Sequence, residues 1–165
     1  MEPVALGQDV LGRRPFVLEI DHLSRFPEAL QLGTPRFVLF LACDTRANSA
    51  GTLRVFSDYV LRLGAVYVAV WGPDCERLHD FLAAARAEFD PNMTDESMIH
   101  LSSHPDENLD EALWFCVNSA WPAEAFAGEA NALLAVSVAH SDWADQIRER
   151  LSDPAGLARA AGEPE

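Results

Sequence analysis

The stretch "VYVAVWGPDCERLHDFL" (66–82) decides the fold. An almost unbroken apolar run, Val66 to Trp71, enters Gly72-Pro73, and a helical pattern follows at once. Continuous apolar runs rich in β-branched and aromatic residues suit strands covered on both faces, as in a parallel sheet. Gly-Pro marks the turn. Cys75, Leu78, Leu82, Ala85 and Phe89 recur at helical spacing, so 75–89 is predicted as a helix with Asp74 as its cap. Strand, turn and helix together make half of a βαβ unit.

Working outward, "RFVLFLAC" (36–43), "LWFCVN" (113–118) and "ALLAVSVA" (132–139) have the same character and are predicted as further strands. A helix is predicted over 50–63, between Ser49 as cap and Gly64 as stop, with Leu53, Phe56, Val60 and Leu63 on one stripe. Another is predicted over 142–151, after Ser141, carrying Trp143, Ile147 and Leu151. "MIHLSS" (98–103) predicts a short edge strand followed by one helical turn over 107–112, because little chain separates it from 113–118. "PFVLEI" (15–20) predicts a strand and "PEALQL" (27–32) a short helix. The expectation is one α/β domain over 1–151, a three-layer Rossmann-like or flavodoxin-like arrangement with a mostly parallel sheet. Residues 1–33 form an irregular region packing on it, and 152–165 a flexible acidic tail.

Composition narrows the chemistry. Twenty-six acids face twelve basic residues in 165, every basic residue is arginine, and the net charge is −14. Such a charge repels nucleic acid and anionic lipid, so neither is an expected partner. Residues 74–111 hold eleven acids and two arginines, −9 of the total. A solvated face accounts for most of these side chains; a docking surface for a basic partner is the functional alternative. Without lysine, a P-loop or a Schiff-base mechanism cannot operate in its usual form. Cys43, Cys75 and Cys116 form no CxxC motif and no disulfide framework. No apolar run nears the ~20 residues that span a bilayer, and the amino terminus lacks the pattern of a signal peptide. A reduced, cytoplasmic setting is the expectation.

Ligands of open α/β sheets bind outside the carboxyl ends of the strands. Those exits offer Asp44 and Arg46, then Trp71 and Asp74, then Asn118 and Trp121, and finally His140 and Trp143. Capping is the competing explanation for Asp74 and Ser141. Cys75 and His79 lie one turn apart at a helix start, where the dipole favours a thiolate. Cys75 also belongs to the apolar stripe with Leu78 and Leu82, which favours inert packing, and His79 falls at the stripe's solvent border. His104, Asp106 and Glu107 cluster, and His79 could join them as acid–base groups or metal ligands. No HExxH or CxxC spacing supports a metal, and none is expected. GxGxxG is missing too, so no dinucleotide and no other cofactor is expected, and no GxSxG elbow presents a nucleophilic serine.

"WGPDCERLHDF" with "LSSHPDENLDEALWF" resembles a pattern in a family of small uncharacterised bacterial proteins, a domain of unknown function. The resemblance implies bacterial origin, consistent with the arginine-only, alanine-rich composition, and draws attention to His79, His104, Asp106 and Glu107. Two functions remain open. One is a non-catalytic module that docks a basic protein, of the immunity or regulatory type. The other is a small hydrolase or transferase with a His/carboxylate site at the strand exits.

Overall fold

The computed structural model describes residues 2–7 and 9–162. Its centre is a six-stranded sheet of β1 (Val4–Ala5), β2 (Arg14–Ile20), β3 (Phe37–Ala42), β4 (Ala65–Trp71), β5 (His100–Ser103) and β6 (Ala132–Val138). The order across the sheet is β1-β2-β6-β3-β4-β5. Only the β1–β2 pairing is antiparallel; the remaining four are parallel. Among the described residues five α-helices complete the mixed α/β architecture: α1 (Ala50–Leu63), α2 (Cys75–Phe89), α3 (Leu109–Ser119), α4 (Ser141–Leu151) and α5 (Pro154–Ala160).

β3 shows why the apolar runs are continuous. Phe37, Leu39 and Leu41 pack with Leu53, Phe56 and Val60 of α1 and with Leu78 and Leu82 of α2. Val38, Phe40 and Ala42 pack on the other face with Leu113 and Cys116 of α3, Ile147 of α4 and Leu157 of α5. Successive side chains of a strand point to opposite faces, so a strand with helices on both must be apolar throughout. All six residues of β3 are buried.

α1 runs as expected. Ser49 accepts from the Thr52 amide, and Gly64 closes the helix at φ 116°, where a Cβ would run into the Pro35 carbonyl oxygen. Three expectations are corrected. Residues 113–118 are helical, because Leu109, Ala112, Leu113, Cys116 and Val117 form a helical stripe. Asn108 and Glu111 make a reciprocal capping box that starts this helix. α3 then supplies the crossover from β5 to β6 that a strand at 113–118 would have denied. Residues 27–32 are irregular, the only nearby helical piece being a single 3-10 turn at Leu23–Arg25, although Phe26 and Leu32 still fill the face beneath α1. The expected flexible tail instead begins with α5, capped by Asp153, opened by Pro154 and anchored by buried Leu157 and Ala158. Residues 163–165 of that tail lie outside the described residues.

Parallel strands bring their carboxyl ends to a common rim. α1 and α2 leave it on one face, α3 and α4 on the other, so the chain reverses face between β3 and β6 and again between β4 and β5. Crevices open where neighbouring connections part in this way.

Candidate functional site

The β3 and β4 exits are tied together by backbone. The Cys43 amide donates to the Trp71 carbonyl at 3.0 Å and the Thr45 amide to the Pro73 carbonyl at 3.1 Å. Gly72 sits between them at φ 126°, with the Cys43 carbonyl where a Cβ would be. Asp74 follows at φ 58°, a left-handed conformation that aspartate tolerates better than most residues. It is the residue before α2 yet makes no side-chain cap bond, so its carboxylate stays exposed on the rim. Likewise His140, not Ser141, occupies the cap position of α4 and makes no side-chain cap bond. Capping therefore does not explain the polar residues at these two exits.

Aromatic rings from the β4 and β6 exits meet here. Trp71 and Trp143 are edge to face with centroids 5.0 Å apart, and His140 stacks on Trp143 at 3.7 Å. The Trp71 indole donates to the Glu107 carbonyl at 2.7 Å, fixing the start of α3 against the β4 exit. Trp71, Trp143, Asp74, His104 and Glu107 line a cleft of about 330 Å³. Beside it Asp44 and Arg46 pair through two contacts of 3.0 and 2.9 Å. The hydrogen bond from Arg46, and more weakly the nearby His140, holds the Asp44 carboxyl below its ordinary range. A smaller recess of about 100 Å³ joins Asp44 and His140 to Asp21, His22 and Asn48.

His104 is 5% exposed. Its Nε2 lies 2.9 Å from Ser102 Oγ and its Nδ1 3.0 Å from Glu107 Oε1, while the ring packs on Phe115 at 4.6 Å. Both ring nitrogens are thus engaged within the protein. A serine, a histidine and a carboxylate in hydrogen-bonded series is the geometry of an activated nucleophile, so Ser102 joins the residues with chemical potential.

Cys75 and His79 do not form a dyad of this kind. Cys75 is fully buried in the face beneath α2, where burial pushes its thiol pKa up; the His104 backbone amide opposes this in part. His79 Nδ1 lies 3.9 Å from Asp80 on the half-exposed border of α2. The His104 ring packs on the opposite face of the sheet, with α3. Among the described residues no three His, Cys, Asp or Glu side chains are grouped to hold a metal ion. Asp106 is exposed beside Glu107. Asn118 and Trp121 leave the rim altogether. α3 returns the chain to the amino end of the sheet, where the Trp121 indole donates to the Asn118 carbonyl at 2.9 Å and its ring covers Arg13, just before β2. Sequence reasoning missed Asp21, His22 and Asn48. The polar pair directly after "PFVLEI" was the signal for the first two.

No match is found among curated proteins. A family model described as a domain of unknown function, DUF7684, does match residues 17–154. That span runs from within β2 through α4 and takes in every rim loop, and the chain belongs to this family.

Proposed function

We propose that this chain is a non-catalytic binding module of a bacterial cytoplasm, a three-layer Rossmann-like domain whose carboxyl rim docks a basic protein partner. One observation carries the reading: Trp71 and Trp143 stand edge to face in a cleft that also bears Asp74 and Glu107. An arginine or lysine head entering it meets aromatic faces and carboxylates together, the combination that favours a cation. Aromatic anchors ringed by charge are also how interface hot spots are built. The net charge of −14 speeds encounter with a basic surface and works against nucleic acid or anionic membrane as the partner. No helix among the described residues is long and apolar enough to cross a membrane.

The test uses an arginine-rich peptide as probe, with tryptophan fluorescence as readout. Binding is expected to weaken as salt rises, because exposed charge pairs are screened over about 10 Å at 0.1 M. Trp143→Ala and Asp74→Asn should each weaken it about tenfold, a loss of the size expected for one anchor. Binding that ignores both salt and these substitutions would sink the proposal. A second reading, a small hydrolase, rests on the Ser102–His104–Glu107 series. It requires turnover of an ester or amide substrate that His104→Ala abolishes. The low exposure of His104 favours the first reading.

A further inference from the structure

The amino end of the sheet holds a cation without a counter-ion. Arg13 is 2% exposed, and among the described residues no carboxylate forms an ion pair with it. Its Nη1 donates to the Ala120 carbonyl at 2.8 Å, and its Nη2 to the carbonyls of Cys116, at 3.1 Å, and Val117. These oxygens close α3, whose own last turn has no basic residue. A helix carboxyl end carries only about half a unit of negative charge, so a full guanidinium charge is not balanced there. Nε is buried and has no hydrogen-bond partner among the described residues. Buried donors in folded proteins are nearly always satisfied, so an orphan on a charged group calls for an acceptor.

The surroundings supply a place for one. Trp121 covers the guanidinium, its ring centroid 4.1 Å from Cζ. Arg13, Trp121, Leu11, Pro122, Phe126 and Asn131 line a cleft of about 290 Å³. Two of the large exposed apolar side chains are here, Leu11 at 57% and Trp121 at 44%. Leu11 is held at φ 52°, a conformation costly for a leucine. Arg36 lies 4.8 Å over the Phe126 ring, outside the residues that line the cleft, and pairs with Glu129 at 3.6 Å. An apolar, aromatic wall with a buried guanidinium as its charged element is the reverse of the acidic rim.

We propose that this cleft binds a monocarboxylate with a flat apolar body, the carboxylate accepting from Arg13 Nε and the body lying against Trp121 and Phe126. Of the five guanidinium N–H groups three are used on the α3 carbonyls, which leaves Nε–H and one Nη1–H for a carboxylate. At about 30 Å³ per water-sized group, the volume suits about ten non-hydrogen atoms. Such a carboxylate is carried by a small aromatic acid or by the carboxyl terminus of a peptide ending in an aromatic residue. The site is independent of the rim.

Benzoate is the first probe, followed by NMR of the arginine Nε–H signals in the full chain. A saturable shift of the Arg13 Nε–H resonance is expected, with benzamide at least about tenfold weaker because it lacks the charge. Trp121→Ala, an exposed position, should weaken benzoate about fivefold or more while the backbone spectrum keeps its dispersion. A peptide ending in free phenylalanine, compared with its amide, identifies the source: tighter binding than benzoate that is lost on amidation assigns a chain terminus. An Arg13 resonance unmoved by benzoate up to about 10 mM, beyond the range of weak fragment binding, overturns the proposal. So does equal binding of benzamide.

Discussion

Replacing Gly72 by alanine should cost this fold more than any comparable change at a loop glycine. A Cβ there would overlap the Cys43 carbonyl oxygen and come within 2.9 Å of its carbon and 3.3 Å of its nitrogen. Those atoms are backbone at the end of the central strand, in a residue that is fully buried, and they cannot swing aside as a flexible side chain could. Relief requires the β3 and β4 exits to part, stretching the Cys43–Trp71 and Thr45–Pro73 hydrogen bonds. Backbone strain for a side chain at φ 126° adds about 1–3 kcal/mol, and the steric insertion about 1–3 kcal/mol more. The sum, about 2–6 kcal/mol, is a large share of the roughly 5–15 kcal/mol that stabilises a typical domain. At about 2–4 °C per kcal/mol for a chain of this size, the midpoint should fall by roughly 10 °C. Gly128→Ala is the control. Its φ is 83°, but nothing lies within 4 Å of the added Cβ, so only strain of about 1–2 kcal/mol remains. Thermal melts followed by circular dichroism compare the two. Midpoints within about 2 °C of each other, a difference under about 1 kcal/mol, would refute the steric reasoning. A Gly72→Ala chain that fails to fold while Gly128→Ala folds would support it.

His104→Ala removes hydrogen bonds to Ser102 and Glu107 and leaves a void against Phe115. At about 1 kcal/mol per bond plus a cavity penalty, urea denaturation should show a loss of about 2–4 kcal/mol; less than about 1 kcal/mol would mean that the series is not structural. The thiols set an alkaline limit. Burial, aided by Asp44, pushes Cys43 from 9.0 to about 12, and burial, opposed by Arg13, pushes Cys116 from 9.0 to about 12. An unfolded chain therefore releases these protons first, so their contribution to stability is complete below pH 9 and is lost as pH rises to about 12. The thermal midpoint should fall across that window, with a shallower slope in Cys116→Ala. For the same reason iodoacetamide at pH 8 should label no thiol until urea is added, and rapid labelling of the native chain would contradict it.

Much of the architecture was legible because burial on both faces leaves a plain mark. "RFVLFLAC", "VYVAVW" and "ALLAVSVA" could be strands only of a sheet covered on both sides, and they are β3, β4 and β6. Ser49 and Gly64 bracket α1 as their chemistry requires. "LWFCVN" misled because a short apolar run has no period of its own: buried strand and buried helix look alike over six residues. The decisive signal lay just upstream, in the Asn108-x-x-Glu111 capping box. The same error carried Asn118 and Trp121 to the rim, when α3 returns them to the amino end beside Arg13.

Local pattern, then, determined most of the strands and helices, because hydrophobic period and capping residues act over a few positions. Tertiary structure alone decided which polar residues meet. The Trp71–Trp143 contact joins β4 to α4 across the sheet, and Arg13 reaches the carbonyl of Ala120 from 107 positions away. Such pairings follow from strand order, and strand order is set by how whole layers pack, which no short window of sequence contains.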